Sequence, residues 1–215
     1  MNKILEKFGI YDLIAVLLSG ISICTLSLLV MQLIYEQNIN IEIQMNETLS
    51  FLVISYFIGL IFQECGSLMQ KIKYKNNALL KSALKVSDNS HILLTEYEKN
   101  SVYTYIKSKL SLKEDNDNIV YNYCKYYVMK NCDTTRIDKE QSISAMSRSL
   151  CLYFLILLMI ALITLFYIPN WRTVVLVAIS FLLFIIFYNR YIRFVKMRYI
   201  SMIRMFYYDI LMRDV

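Results

Sequence analysis

The sequence predicts an all-α membrane protein with four transmembrane helices and a small helical cytosolic domain inserted between the second and the third. Three observations predict it. The 215-residue chain is 57% hydrophobic, where a soluble domain has roughly 45–50%. It holds one Pro and four Gly, so long helices meet few breakers. Its Lys and Arg are placed so unevenly that they set an orientation. The segments are 1–69 (lead-in and first two spans), 70–148 (cytosolic domain), 149–189 (last two spans) and 190–215 (basic helical tail).

Residues 1–11 form a short amphipathic lead-in with Lys3 and Lys7. A secretory signal is the competing reading. The apolar run from Leu13 to Ile34 is too long for a typical signal core, and no small-residue cleavage site follows. It reads as a retained span, long enough for a ~30 Å hydrocarbon core. Tyr11 and Tyr35 bracket it as interface anchors. Asp12 suits a helix cap. Ser19, Gly20 and Ser27 form a packing face of small residues.

Residues 36–47 carry three Glu and no Lys or Arg. Ile39, Ile41, Ile43 and Met45 alternate with polar residues, a strand period. An extended segment that pairs with a neighbouring subunit and a plain loop are both open here.

The second span runs from about Thr48 to Met69, and a polar segment, 70–148, follows with 14 Lys or Arg and 9 Asp or Glu. Asn76–Val86 extends the second span in this reading. Ser101–Leu112 and Asp117–Asn131 read as short helices capped by Ser101 and Asp117. Thr135-x-x-Asp138 resembles a capping box. No Gly or Pro then occurs until Pro169, which predicts one helix of over 30 residues entering the third span, about Leu150–Ile168. IPNW (168–171) makes a tight hairpin. The fourth span covers about Arg172–Tyr188, and its helix runs on to Met212. With both termini and 70–148 on the cytosolic side, 22 of the 23 basic residues are inside and only Arg172 is outside. That distribution fixes both ends as cytosolic and the protein as multi-pass.

The most informative stretch is YFIGLIFQECGSL, residues 56–68. Ser55, Gly59, Gln63, Gly66 and Gln70 fall within an arc of about 80° on an ideal helix. Glu64 points the other way, towards the side of Ser67 and Lys71. An ionisable residue at membrane depth is a functional hypothesis by default. Gly59, Gln63 and Gly66 therefore mark close helix contact or pore lining. Arg148, at the start of the third span, is the expected partner of Glu64. Such a pair either latches a closed state or is a static buried pair.

Arg190, Arg193 and Arg204 lie within about 60° on a helical wheel, Arg204 some 20 Å beyond Arg190. Arg198, Asp209 and Arg213 form a second stripe. Two readings stay open: a positive-inside anchor touching lipid phosphates, and an anion or nucleotide site. VYTYIKSKL (102–110) and VYNYCKYYVMK (120–130) interleave Tyr with Lys107 and Lys125, which suits single-stranded nucleic acid as well as ordinary packing. Arg136 adds a cation ahead of the third span.

No Ser/His/Asp set, HExxH or paired-carboxylate motif occurs, so the chain is not expected to be an enzyme. The five Cys form no CxxC pair, and none lies in a segment placed outside, so no structural disulfide is expected. His91 is the single His. No metal site or cofactor is expected.

FGIYDLIAVLLSG, the YFIGLIFQECGSL helix, the SRSL lead into the third span and the NRYIRF…FYYD tail together resemble one group of proteins. These are small multi-spanning bacterial membrane effectors of anti-phage defence, encoded beside a nucleotidyltransferase, the Hailong-type effectors among them. The resemblance implies a toxic, homo-oligomeric (tetrameric) ion channel in the bacterial inner membrane. It implies gating by single-stranded DNA or another nucleotide oligomer, which holds the channel closed or opens it, and a nucleotidyltransferase as genetic partner. The residues themselves leave two alternatives. One is a non-conducting scaffold or partner subunit in contact with membrane lipids; the other is a membrane enzyme centred on Glu64.

Overall fold

The computed structural model describes residues 10–35, 45–73, 94–111, 116–167 and 169–211, and among them there is helix and no strand. Six α-helices follow one another: α1 (Ile10–Tyr35), α2 (Met45–Lys73), α3 (Glu96–Leu110), α4 (Asp117–Asn131), α5 (Thr135–Tyr167) and α6 (Trp171–Phe206). A π-helical turn, Tyr207–Leu211, closes the described chain. Four helices, α1, α2, α5 and α6, are long and apolar enough to cross a membrane, so the chain has the build of a membrane protein. The chain divides into two compact units, Met1–Lys71 with Ser142–Tyr191 and Ile72–Gln141 with Ile192–Val215.

In the first unit the apolar helices bury one face each. Ile23, Leu150, Tyr153, Phe154 and Leu157 form the core, with Ile58 and Phe62 of α2 and Leu183, Phe184 and Phe187 of α6 packed against it. Phe154 stacks on Phe187 at 5.5 Å, and Ser27 and Tyr153 share a hydrogen bond of 3.1 Å. Helices surrounded by lipid gain little from burying apolar surface against each other, so close packing has to hold them. The α1–α2 crossing supplies it. Ser19 and Ser55 are fully buried there, and a Cβ on Gly20 or Gly59 would run into the backbone carbonyl of Ser55 or Val16. The connection between α5 and α6 is the expected hairpin. The Thr173 hydroxyl donates to the Asn170 carbonyl at 2.6 Å and accepts from its N–H at 3.2 Å.

The second unit is built around Phe206, which is fully buried. Tyr105, Tyr123 and Tyr127 meet its ring edge-to-face at 6.0, 5.8 and 5.3 Å. Val102, Ile106, Cys124, Val128, Ile137 and Ile203 complete this core. In VYTYIKSKL and VYNYCKYYVMK, Tyr103, Tyr105, Tyr121, Tyr123 and Tyr127 are thus packing residues, whereas Tyr126 is exposed. Tyr103 donates to Asp117 at 2.7 Å and Tyr127 to Asp209 at 2.8 Å, which satisfies their hydroxyls as their rings are buried.

Several boundaries differ from the sequence reading, each for a local reason. α2 begins at Met45, ahead of Thr48, and takes in the end of the alternating stretch; residues 36–44 lie outside the described residues. α1 begins at Ile10, so Asp12 stands in its first turn and is not its cap. α3 begins at Glu96, five residues before the expected Ser101 cap. Thr95 and Glu98 form a complete capping box, with Glu98 N–H on Thr95 Oγ1 at 3.2 Å and Thr95 N–H on Glu98 Oε2 at 2.9 Å. The helix stops at Ser111, whose φ of 52° lies in the left-handed region. Asn116, one residue before the expected Asp117, caps α4 by accepting from the N–H groups of Asn118 and Ile119. At the start of α5 other contacts are made in place of the box expected at Thr135-x-x-Asp138. The Thr134 hydroxyl donates to Asp138 at 3.0 Å, and Asp133 accepts from the Thr135 N–H at 3.0 Å. The lead-in 1–9, the extension Asn76–Val86 and His91 lie outside the described residues.

Candidate functional site

The small-residue face of α2 is a packing face. Ser55, Gly59 and Gly66 are buried, whereas Glu64 and Cys65 are exposed. Gly59 meets α1. Gly66 meets α5, where a Cβ would lie 3.1 Å from Cγ and 3.3 Å from Nε of Arg148. Arg148 lies along this glycine and donates from Nη2 to the Gln63 carbonyl at 3.3 Å. The expected Glu64–Arg148 pair is therefore replaced by a contact between Arg148 and the backbone of the residue before Glu64. The reason is angular. Gln63 and Gly66 lie on the face turned to α5, and Glu64 is about 100° round the helix from Gln63.

In the second unit two groups of cations line cavities. In the first, each Arg is matched to a buried carboxylate. Arg204 Nε lies 3.3 Å from Glu98 Oε1, so the residue that caps α3 also anchors the α6 cation. Arg136 Nε lies 3.2 Å from Glu140 Oε1, and the Ser201 hydroxyl donates to the same oxygen at 3.0 Å. Glu140 is 5% exposed, and its Oε2 is buried without a hydrogen-bond partner. Arg136, Ser201, Arg204 and Tyr208 line a cavity of about 230 Å³. Its two cations face two carboxylates, so it has little net positive charge. Arg198 is also engaged. It donates to Gln141 at 3.4 Å and lies 5.6 Å from the centre of the Tyr199 ring. Asp209 of the same stripe accepts from Tyr127, and Arg213 lies outside the described residues.

In the second group, Lys99, Tyr103 and Lys107 repeat every four residues along α3, so they share one face of the helix. With Asn100, Thr104 and Asp117 they line an open groove of about 570 Å³. Lys99 Nζ lies 5.5 Å from the centre of the Tyr103 ring. The floor is a buried tyrosine ring and the walls carry ammonium groups, hydroxyls, an amide and one carboxylate. Phosphate oxygens are served by the first three, and a sugar hydroxyl by the last.

Of the six cations expected at an anion site, Lys107 lies at this groove, and Arg136 and Arg204 share the smaller cavity. Lys125 and Arg193 are exposed on α4 and α6. Arg190, also exposed, belongs to the first unit. Lys99, Glu98 and Glu140 were not anticipated. Thr95-x-x-Glu98 was a usable signal for the cap, and the i, i+4, i+8 spacing of Lys99, Tyr103 and Lys107 was one for the groove.

Burial raises the pKa of two groups in the core of the second unit. The Cys124 thiol rises to about 12. The Tyr121 phenol also rises to about 12, its burial outweighing the nearby Arg198 charge. Both are neutral core groups at physiological pH. No protein-family model, no curated protein and no solved structure matches this chain.

Proposed function

We propose that this chain is a membrane-embedded effector whose oligomer conducts ions and is gated by a nucleotide oligomer. In this reading the four long apolar helices cross a bacterial inner membrane, and the second unit lies in the cytosol. The placement of 22 of 23 basic residues on one side supports the orientation. The resemblance to anti-phage effectors supports the class of ligand, single-stranded DNA or a related oligomer, and the genetic pairing with a nucleotidyltransferase.

One observation carries the ligand reading: the groove flanked by Lys99 and Lys107. It is an open, basic and polar surface outside the four apolar spans. Coupling to the spans needs no separate linker, because α5 and α6 each run without a break from the residues of one unit into those of the other. A ligand that favours one arrangement of these helices biases a two-state equilibrium.

The groove is tested with full-length protein in detergent and a fluorescein-labelled single-stranded DNA oligonucleotide, read by anisotropy. Lys99→Glu with Lys107→Glu is expected to weaken binding at least tenfold. Arg136→Gln, which removes the exposed partner of Glu140 away from this groove, is expected to change it less than threefold. Unchanged binding by the lysine double variant contradicts the assignment.

A further inference from the structure

The outer face of α2 carries a carboxylate among exposed apolar side chains. Val53, Phe57, Ile61 and Leu68 are exposed, and so is Glu64. These five residues fall within an arc of about 80°, its centre about 120° round the helix from the Ile58 and Phe62 face turned to the core. A carboxylate on such a stripe is unfavourable against hydrocarbon. Arg148, the cation closest in the sequence reading, is turned to Gln63 instead.

A second stripe on the same unit has the matching pattern. Val175, Ile179, Leu182 and Ile186 of α6 are exposed, followed by exposed Arg190. They too span about 80°. Each stripe is apolar along its length and turns charged near the C-terminal end of its span, negative on α2 at Glu64 and positive on α6 at Arg190, with exposed Arg193 next on the same face. Being the second and fourth passes, α2 and α6 run in the same direction. Aligning Glu64 with Arg190 sets Ile61 beside Ile186, Phe57 beside Leu182 and Val53 beside Ile179.

We infer that these two stripes are the two halves of an interface between copies of this chain, α2 of one copy against α6 of the next. The inference rests on the reading of the four helices as spans. A two-fold α2–α2 contact would place Glu64 against Glu64. The head-to-tail contact places Glu64 against Arg190, and such contacts close into a ring when the rotation permits. The carboxylate then leaves the lipid for a paired site, as intramembrane ionisable residues do.

The test is disulfide trapping of full-length protein in native membranes under mild oxidation. Ile61→Cys with Ile186→Cys is expected to give a ladder of covalent multimers, against the wild-type chain as the background of its five native cysteines. Neither single variant should do so. A ladder from Ile61→Cys alone identifies a two-fold contact and overturns the inference, as does the absence of any ladder from the double variant. In a second arm, Glu64→Arg and Arg190→Glu should each lower the oligomer fraction after solubilisation, and together restore it; failure of the pair to restore it also contradicts the contact. A ladder without ion flux keeps the interface and removes the channel, whereas flux without a ladder keeps the channel and removes this interface.

Discussion

Gly20 and Gly59 face each other across the α1–α2 crossing with no room for a methyl group on either. A Cβ on Gly20 would lie 3.1 Å from the Gly59 nitrogen, and one on Gly59 3.2 Å from the Gly20 nitrogen, each also entering a backbone carbonyl of the other helix. The obstacle is backbone, which cannot swing aside as a side chain can. Gly59→Ala is therefore expected to cost about 1–3 kcal/mol of overpacking. Ala favours the helix by about 1 kcal/mol over Gly, so the net loss is smaller. Thermal unfolding in detergent measures it, and an unchanged or raised Tm would show that the helices are not this close.

Gly66 provides the contrast. Its Cβ would meet the stem of Arg148, with Cγ at 3.1 Å and Cδ at 3.4 Å, and a flexible side chain can shift by a few tenths of an ångström. Gly66→Ala should lower the Tm less than Gly59→Ala in the same assay. The reverse order would mean that Arg148 is held rigidly.

Glu98 closes the α3 capping box and pairs with Arg204. Removal of one partner of a buried pair leaves the other unmatched. Glu98→Ala is expected to cost about 2–4 kcal/mol, and Thr95→Ala about 1 kcal/mol. Hydrogen exchange along Glu96–Leu110 separates the two. Both variants should speed exchange in the first turn, but only Glu98→Ala should also do so around Arg204.

Cys124 and Tyr121 give a pH dependence with a defined sign. Both protonated groups are favoured in the fold, with pKa values pushed up to about 12 from 9.0 and 10.0. The unfolded chain then loses protons first as pH rises. Stability is full below about pH 9 and falls between pH 9 and 12. At pH 8 alkylation of Cys124 should be about a thousandfold slower than that of an ordinary thiol, because the thiolate is the reactive form. Mass spectrometry after iodoacetamide checks it with added glutathione as the reference thiol, and equal labelling would contradict the burial.

The long helices were legible in the sequence because apolar length and the absence of breakers act locally. The 33 residues of α5 and 36 of α6 follow from the Gly- and Pro-free runs. Caps were legible to within a few residues, since Thr95, Asn116 and Thr134 compete with neighbours of similar chemistry. The partner of Arg148 was not legible. It depends on which side of α2 faces α5, and a 100° difference separates Gln63 from Glu64. Glu98 escaped for a related reason: its charge is matched by Arg204, 106 positions away in the chain. Glu140 has a local cation, Arg136 at i−4, but its burial depends on distant groups such as Ser201, 61 positions away.

The central claim is ion conduction under control of a nucleotide oligomer. Its most direct test is ion flux from liposomes carrying the purified full-length protein, with and without a single-stranded DNA oligonucleotide on the side of the second unit. The account predicts flux above protein-free liposomes in one of the two conditions, a change of flux when the oligonucleotide is added, and loss of that change in the Lys99→Glu, Lys107→Glu variant. Flux equal to that of protein-free liposomes in both conditions would contradict it.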